Sequence, residues 1–559
     1  MQLALALVGC GCVGDDVDTA GWLPDEVALG PEVVCENPIS GFDRFTEEGL
    51  SRGLDLDIEP VDQVGGCNYV PSNVSAHDVD GDGDADLLFN RPDGFPHVYL
   101  NDRGQFTSKT INRPVESAYG REVLAFATVD LTGDGLPEVV VVGEDLVLWS
   151  ENTGGATWSD WQVILDEPEF PRVCISSMAF GDVDGDGDLD LALPGLDEVL
   201  YDGFLAPGKG EWLPTDDRLY LNDGGSFRAF EVYSPEPGFS ITTAFTDRDN
   251  DGDLDLLAGT DRPFDAYPPM AFLRNDGNDD GGPILVNDAP ELEADLRVSA
   301  MGLGVHDMNG DGLLDYCMTD LSFQLTCLFS VEGSAYYEGG AAMGLVADLT
   351  LHPDIDAGFE QRLADGDFGT TIWASWGLAM LDLDNDARLD VVATAGPPPD
   401  YGSVYSSDIW GFQPDWIWQG TDDGFETRIN ETGFHSIDWS YGIATADFDG
   451  DGYRDFVLGP SEGNPPFWSN ACGEGSWLEV ELVGKGDNVE AYGARVEFTA
   501  NGETQVQEMH NLQAVSQSVS RLHFGLGKAT SGELTVRFVD GSTVSATVPV
   551  NRLVTVSQP

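Results

Sequence analysis

The sequence is poor in positive charge. It has 25 Lys and Arg residues against 100 Asp and Glu residues, which gives a formal net charge of −75 over 559 residues. Because nucleic-acid binding depends on cations that neutralise phosphates, this balance argues against a nucleic-acid partner. Exposed acidic residues are more commonly a means of keeping a protein soluble.

Several motifs of catalysis and metal chemistry are also missing. The sequence has no Cys-x-x-Cys pair, no Cys/His spacing of the zinc type, no Gly-x-Ser-x-Gly elbow and no phosphate-binding loop. The seven histidines are scattered along the chain. Beyond the N-terminus no apolar run is long enough to span a membrane. We therefore expect a protein that is not an enzyme.

One acidic pattern recurs seven times. Each copy is a nine-residue segment with oxygen-bearing side chains at positions 1, 3, 5 and 9, and a small residue at position 6. Side chains at this spacing can surround one hard cation, with the position 7 backbone carbonyl as a further ligand, and Ca²⁺ is the natural occupant. An apolar run follows in place of the position 12 Glu of an EF-hand, so the flanking elements are predicted to be strands.

The seven loops provide up to seven structural Ca²⁺ sites. Thr132 and Asn309 replace Asp at position 3, and Ala387 replaces Gly at position 6, so we expect weaker binding in loops 2, 5 and 6, least certain in loop 6. In the order of positions 1, 3, 5, 7 and 9, the candidate ligands are Asp78, Asp80, Asp82, Asp84 and Asp86 in loop 1; Asp130, Thr132, Asp134, Leu136 and Glu138 in loop 2; Asp182, Asp184, Asp186, Asp188 and Asp190 in loop 3; Asp247, Asp249, Asp251, Asp253 and Asp255 in loop 4; Asp307, Asn309, Asp311, Leu313 and Asp315 in loop 5; Asp382, Asp384, Asp386, Arg388 and Asp390 in loop 6; and Asp447, Asp449, Asp451, Tyr453 and Asp455 in loop 7.

The spacing of the loops predicts an all-β fold. A Gly/Ala-rich strand precedes each loop, an apolar strand follows it, and in several units a third strand ends in an Asn/Gly/Asp turn. The loops begin 52 to 75 residues apart, somewhat above the ~40–50 residues of four-stranded propeller repeats. Seven units predict a seven-bladed β-propeller over residues 41–472. Alternating short strands over 473–559 predict a small β-sandwich-like domain.

The loops resemble those of FG-GAP repeats, the calcium-binding propeller units of integrin α-subunits and of many secreted bacterial proteins. In the C-terminal domain, the segments Gly493-Ala-Arg-Val496 and Arg521-Leu-His-Phe-Gly-Leu-Gly527 resemble the ASPIC/UnbV domain, which follows an FG-GAP propeller in its family. The combination resembles the cartilage-acidic-protein-like family over 41–559. This resemblance implies an extracellular calcium-binding protein, and we expect it to recognise a protein or a glycan.

The N-terminus indicates export. Residues 3–10 form a short apolar run with small residues before Cys10, which resembles the lipobox of bacterial lipoproteins, although Met1 and Gln2 supply no basic region. We expect residues 1–10 to be a signal peptide ending at a lipidated Cys10, and residues 11–40 to be an acidic flexible tether. The expected location is the outer membrane or cell surface as a lipoprotein, or the medium as a secreted protein. An ordinary apolar N-terminus is the alternative.

Export permits disulfide bonds. Cys317 and Cys327 lie ten residues apart on two successive predicted strands and are a plausible cross-strand pair, while Cys35 and Cys67 are a second possible pair. The pattern assigns no partner to the remaining cysteines, Cys12, Cys174 and Cys472.

Long connections on the propeller are the expected places for binding specificity. Insertions follow loop 3 (196–217) and loop 5 (331–372). An aromatic cluster between loops 6 and 7 offers stacking platforms for sugar rings, or else belongs to the core. Two other functions stay open, an envelope enzyme or enzyme subunit acting on polysaccharide or using a propeller-bound cofactor, and a purely structural surface protein. The cluster consists of Tyr401, Tyr405, Trp410, Phe412, Trp416 and Trp418.

Overall fold

The described part of the chain is almost entirely β-structure. Within it there is one α-helix, α1 (Gly49–Arg52), and one 3₁₀ turn at Leu349–Leu351. None of its helices has both the length and the apolar composition that a membrane-spanning helix needs. The computed structural model describes residues 23–58, 73–90, 95–111, 123–143, 146–166, 173–174, 177–197, 216–232, 240–260, 269–279, 281–331, 335–352, 373–396, 413–429, 431–511 and 516–559.

The strands follow one another along the chain as β1 (Val27–Leu29), β2 (Phe45–Glu47), β3 (Val74–His77), β4 (Asp86–Asn90), β5 (Pro96–Asn101), β6 (Phe106–Lys109), β7 (Val123–Val129), β8 (Glu138–Gly143), β9 (Leu146–Ser150), β10 (Gln162–Asp166), β11 (Val173–Cys174), β12 (Ala179–Gly181), β13 (Asp190–Leu193), β14 (Leu196–Asp197), β15 (Arg218–Leu221), β16 (Arg228–Val232), β17 (Ser240–Thr246), β18 (Asp255–Thr260), β19 (Ala271–Asp279), β20 (Gly282–Asn287), β21 (Leu303–His306), β22 (Asp315–Met318), β23 (Thr326–Val331), β24 (Ala335–Glu338), β25 (Ser375–Leu381), β26 (Asp390–Ala395), β27 (Trp416–Thr421), β28 (Gly424–Thr427), β29 (Ser440–Ala446), β30 (Asp455–Pro460), β31 (Phe467–Asn470), β32 (Ser476–Val483), β33 (Arg495–Ala500), β34 (Glu503–Glu508), β35 (Ser516–Gln517), β36 (Leu522–Gly527), β37 (Ser531–Arg537), β38 (Thr543–Pro549) and β39 (Arg552–Ser557).

Seven antiparallel blades form the propeller. Each contains four strands, which in blades 1 to 6 lie in chain order, and the first strands of most adjacent blades contact one another. Blade 7 takes its fourth strand from β2, which precedes blade 1 in sequence and pairs with β31, so the two ends of the ring are joined by hydrogen bonds. The predicted seven-bladed all-β fold is thus confirmed. Blades 1 to 7 are β3–β6, β7–β10, β12-β13-β15-β16, β17–β20, β21–β24, β25–β28 and β29-β30-β31-β2.

Burial follows from the position of each strand within its blade. Every residue of the second strands β8, β18, β26 and β30 is buried, which explains their continuous apolar runs, because neighbouring blades cover both faces. The fourth strand β6 at the periphery of blade 1 buries only its first residue.

The C-terminal domain is a sandwich of two four-stranded sheets, β1-β39-β32-β36 and β34-β33-β37-β38. Strands β37 and β38 alternate buried with exposed or partly exposed residues, as expected for sheets with one face on the core. Val496, Phe524 and Val536 lie in that core and are at most 1% exposed.

The N-terminal segment is partly built into this sandwich. Strand β1 pairs antiparallel with β39, joining Val27 to Val556, and thereby covers an edge that would otherwise be open to pairing with another chain. The expectation of a flexible tether over 11–40 is therefore wrong for this part, and residues 11–22 lie outside the described residues. Three-residue strands that pair across more than 500 positions leave little periodicity in sequence.

Two disulfides are present in the described residues. Cys317–Cys327 joins the adjacent strands β22 and β23, which confirms the predicted pair. Cys35 pairs with Cys472, so the proposed Cys35–Cys67 pair is wrong, and Cys67 lies outside the described residues. The second bond fastens the N-terminal segment to the junction between the propeller and the C-terminal domain.

The aromatic cluster is not an exposed platform in its described part. Trp416 and Trp418 of β27 are both 0% exposed and pack against Trp373, with ring centroids 6.5 and 6.1 Å from it. They belong to the core of blade 6, and the other four aromatics lie outside the described residues. Ala335–Glu338 of the insertion predicted after loop 5 is likewise β24, the fourth strand of blade 5.

The C-terminal domain docks on the propeller and reaches its axis. Its strand β35 pairs in parallel with β3, the innermost strand of blade 1. The side-chain amide of Gln517 bridges to blade 2, since its Oε1 accepts the Thr128 N–H at 3.1 Å and its Nε2 donates to the Thr128 carbonyl at 2.8 Å. These contacts satisfy backbone groups at the open inner edges of two blades.

We predict that replacing both Cys35 and Cys472 by Ala lowers the free energy of unfolding by about 2–5 kcal/mol, because the bond restricts the unfolded chain over a long loop. Chemical denaturation of the variant and the unchanged protein measures this. With reductant added to both, the two curves should coincide. Equal stability without reductant would contradict the prediction.

Candidate metal centres

Each acidic loop connects the first strand of a blade to the second and folds around its own first carboxylate. In loop 1, Asp78 Oδ1 accepts the N–H of Asp82 at 3.2 Å and Asp78 Oδ2 accepts the N–H of Gly83 at 2.8 Å. The position 5 carboxylate then accepts the N–H of position 7 in every loop. The bonds seen at Asp78, in which the N–H groups of positions 5 and 6 donate to the position 1 carboxylate, also form at Asp182, Asp307, Asp382 and Asp447.

Positions 4 and 6 adopt left-handed backbone conformations in all seven loops. This accounts for Gly at most of these positions, since left-handed φ values are strained for residues with a Cβ. Loop 6 has Asn385 and Ala387 there, with φ of 56° and 77°. Ala387 nevertheless donates its N–H to Asp382 Oδ2 at 2.6 Å. Loop 6 therefore folds like the others despite its unfavourable sequence, while its affinity for a cation stays a prediction.

The position 9 carboxylates tie each loop to its blade. Asp86 is 0% exposed, and it accepts the Val79 N–H at 2.9 Å and the Asn101 N–H, at the end of the third strand, at 2.7 Å. Burial raises the pKa of Asp86 to about 8. The same pair of bonds, from position 2 and from a residue in the third strand or within two residues of its end, is present in all seven loops.

Five loops bring three carboxylates together. In each, one oxygen from each of three side chains lies within 4.8 Å of the other two. Position 9 takes part in loops 1, 3 and 6, and position 5 replaces it in loops 4 and 7. The trios are Asp78, Asp80 and Asp86; Asp182, Asp184 and Asp190; Asp247, Asp249 and Asp251; Asp382, Asp384 and Asp390; and Asp447, Asp449 and Asp451.

Loops 2 and 5 form no such trio among the described residues. They are the two loops in which position 3 is not acidic, with Thr132 and Asn309 in place of Asp. Their remaining carboxylates keep the common loop hydrogen bonds.

Several carboxylate oxygens in the trios are buried and accept no hydrogen bond from the described residues. Asp247 Oδ1 is one, and the Oδ1 atoms of the position 3 residues Asp184, Asp249, Asp384 and Asp449 are the others. A buried carboxylate oxygen without a partner is costly. A hard divalent cation among three such groups would satisfy these oxygens, and carboxylates of this kind suit Ca²⁺.

The electrostatics of the trios also favour a bound cation. Burial, followed by repulsion from Asp186, raises the pKa of Asp182 to about 7. Burial likewise raises the pKa of Asp382 and Asp447 well above the usual range of a carboxyl. The ionised loop is therefore unfavourable unless a positive charge compensates it.

Guanidinium groups supply part of this charge in some loops. Arg388, at position 7 of loop 6, pairs with Asp386 at 2.7 Å, so its side chain acts on a neighbouring candidate ligand. In loop 7, Arg52 of α1 pairs with Asp449 at 3.2 Å. Tyr453, the position 7 residue of that loop, is buried and donates its hydroxyl to the Gly475 carbonyl.

An asparagine clamp between blades is not apparent from the sequence pattern. Asn101 Nδ2 donates to the carbonyl of Phe448, position 2 of loop 7, at 2.9 Å. Each such Asn lies in a third strand or within two residues of its end and reaches the loop of the preceding blade, so the clamp of blade 1 also closes the ring. Its sequence signal is the Asn of the Asn/Gly/Asp turns. The other three clamps are Asn152 to Val79, Asn275 to Val183 and Asn470 to Leu383.

Comparisons with known proteins agree with this architecture. A family model described as FG-GAP-like repeat matches residues 78–141 and 130–193, and a model described as ASPIC and UnbV matches residues 484–559. No curated protein sequence matches the chain.

Solved structures resemble the chain only distantly. An Agrocybe aegerita lectin that recognises non-reducing terminal N-acetylglucosamine is 14% identical, covering 77% of this chain and 94% of its own, with a TM-score of 0.38. BBS1N in complex with ARL6DN is 8% identical, with coverage of 75% and 99% and a TM-score of 0.40. Scores this low support no inference about function. The family models and the blade topology together show that the chain combines an FG-GAP-type propeller with a C-terminal ASPIC and UnbV domain.

Proposed function

We propose that the protein is a calcium-stabilised recognition scaffold that works outside the cytoplasm. The observation that carries the proposal is the set of five carboxylate trios, four of which contain a buried oxygen without a hydrogen-bond partner among the described residues. Ca²⁺ binds to carboxylates and carbonyls in flexible cages, and these loops supply both on a rigid blade. The ion would have a structural role, since it offsets charge in the turn between two strands.

Disulfides support an exported location. Cys35–Cys472 and Cys317–Cys327 are bonds of the kind that persist in oxidising compartments. Lipidation at Cys10 belongs to the same proposal, although Cys10 lies outside the described residues. Attachment to a membrane would then depend on the lipid, as a lipoprotein of the outer membrane or cell surface, and a secreted form is the alternative.

Recognition of a protein or glycan would use the propeller face opposite the acidic loops. The loops lie between first and second strands, and the C-terminal domain contacts that face. Because the strands are antiparallel, the second and fourth strands of each blade end at the other face. The proposal assigns no catalytic step, and the net charge of −75 argues against a nucleic-acid partner.

Replacing Asp184 by Asn tests whether its carboxylate is a calcium ligand. In millimolar calcium the variant should melt at a lower temperature than the unchanged protein, because a site at one hundred times its Kd contributes about 2.7 kcal/mol. In excess chelator the variant should melt at the same temperature as the unchanged protein or slightly above it, since the metal-free loop loses only a repulsive charge. Asp423→Asn, at an exposed turn of blade 6, is the matched control and should melt like the unchanged protein in both conditions. Equal melting of Asp184→Asn in calcium would contradict the assignment.

Asn309→Asp should turn loop 5 into a stronger site, because it supplies the missing position 3 carboxylate. Isothermal titration with calcium should show one additional tight site relative to the unchanged protein. Asn501→Asp adds the same charge at an exposed turn of the C-terminal domain and should add no site. An unchanged number of tight sites in Asn309→Asp would show that position 3 does not set the affinity.

A further inference from the structure

The C-terminal domain contacts the acidic loops of all seven blades. In loops 1, 3 and 5 it binds the position 6 backbone carbonyl. In loops 4 and 6 it binds the position 4 residue, and in loops 2 and 7 its residues pack directly on a loop glycine. The contacts are Arg521 Nη2 to Gly83 O at 3.1 Å, Asp487 N to Gly187 O at 3.0 Å, Arg495 Nη2 to Gly312 O at 2.6 Å, Arg537 to Asn250, Gly527 N to Asn385 O at 2.9 Å, Asp487 beside Gly133 and Trp477 beside Gly452.

These contacts recognise the folded conformation of the loops. The position 4 and position 6 carbonyls point where they do because the backbone there is left-handed. That conformation is held by the position 1 carboxylate, which accepts the N–H groups of positions 5 and 6. A loop that opens would lose both its carboxylate cage and the carbonyl to which the C-terminal domain binds.

In loop 4 one aspartate contributes both to a carboxylate trio and to the interface with the C-terminal domain. Asp247 is 6% exposed, its Oδ1 has no hydrogen-bond partner among the described residues, and its Oδ2 accepts Arg537 Nη2 at 3.0 Å. Its backbone N–H donates to Glu508 Oε2 at 2.8 Å. The same candidate ligand thus belongs to a carboxylate trio and to the domain interface.

We propose that cation binding by the loops and docking of the C-terminal domain are thermodynamically coupled, so that calcium promotes docking and its removal releases the domain. The inference rests on the proposed calcium binding. The coupling is positive because both events require the same loop conformation, and without a cation the carboxylates of each trio repel one another. Linkage is reciprocal, so a change that displaces the domain also lowers the affinity of the loops for calcium by the same factor.

Gly525 offers a test of this reciprocity without a change of charge. A Cβ at this residue would lie 1.8 Å from Asp382 Oδ2, so Gly525→Ala should push the domain away from loop 6. Gly281→Ala is the matched control, because Gly281 is exposed, its φ lies outside the left-handed region, and an added Cβ would meet only the Asp279 side chain, at 3.2 Å. The added methyl group also lies against Asp382, a candidate ligand of loop 6, so weaker calcium binding at that one site would be a direct effect. Weaker binding at two or more sites would reflect displacement of the domain, because the other trios keep all their side chains.

Arg537→Ala is a second variant in case Gly525→Ala does not fold. It removes the bonds from the C-terminal domain to Asp247 and Asn250. Arg552→Ala is its control, since Arg552 donates to the carbonyls of Val550 and Gly30 rather than to a propeller loop. For Arg537→Ala we predict undocking of the domain but make no prediction of the calcium affinity. Loss of the positive charge at residue 537 would by itself change the affinity of loop 4 for calcium.

Hydrogen exchange in the full-length protein measures docking. The reporter is the segment 516–519, which pairs with β3 and whose Val519 N–H donates to the Thr445 carbonyl at 3.3 Å. Amides between β33 and β37, such as those around Val496 and Val536, report whether the C-terminal domain itself stays folded. Bound calcium is counted in the same samples by equilibrium dialysis.

Chelation should speed exchange at 516–519 by between about five- and 150-fold, while β33 and β37 stay protected. In calcium, Gly525→Ala and Arg537→Ala should speed exchange at 516–519, whereas both controls behave like the unchanged protein. Gly525→Ala should also bind calcium more weakly at two or more sites, and weaker binding at one site alone would overturn the reciprocal coupling. Calcium bound by the loops with unchanged exchange at 516–519 would overturn the coupling alone. Loss of protection at 516–519 and β33 together would overturn it as well, since the domain then unfolds instead of undocking. No bound calcium would overturn the proposed function and the coupling with it.

Discussion

Concentrated negative charge in the seven loops is the constraint on which this structure depends. The position 9 carboxylates are fully buried and the position 1 carboxylates are buried or nearly so, and backbone N–H groups satisfy many of their oxygens. Those bonds fold the loops and tie them to their blades. In five loops three carboxylates still converge, and in four of these, loops 3, 4, 6 and 7, a buried oxygen accepts no hydrogen bond from the described residues. The proposed calcium ions would complete these cages, so loop order, blade geometry and counter-charge are aspects of one arrangement.

The repeated part of the fold could be predicted from the sequence because each repeat is local. A small-residue strand, an acidic loop and an apolar strand lie within about 25 residues of each other, so periodicity and turn chemistry locate them. The same locality predicted Cys317–Cys327 on adjacent strands. Thr132 and Asn309, which depart from the pattern, mark the two loops without a carboxylate trio.

Long-range contacts could not be predicted from local sequence patterns. The pairing of β1 with β39, the Cys35–Cys472 bond and the insertion of β35 beside β3 join residues hundreds of positions apart through two or three residues each. Burial of Trp416 and Trp418 depends on the packing of blade 6, and aromatic content alone does not distinguish a core from a binding platform. The asparagine clamp was hidden because its Asn residues also fit an ordinary turn.

The arrangement of the two domains makes the two faces of the propeller different. One face of the propeller holds the acidic loops and the C-terminal domain, and a short strand from that domain reaches the innermost strands at the axis. The opposite face is the one proposed for recognition, and the N-terminal segment is fixed at the junction of the domains by Cys35–Cys472. A small second domain therefore acts as a cap on the ring instead of an independent module.

The position of bound calcium is the most direct test of whether the acidic loops are calcium sites. Crystals grown in calcium and measured at long wavelength would give an anomalous difference map in which each ion is seen. We expect a peak inside each of the five carboxylate trios, with weaker or no peaks in loops 2 and 5. A map without peaks in the trios, from crystals that contain millimolar calcium, would contradict the claim that these loops are calcium cages.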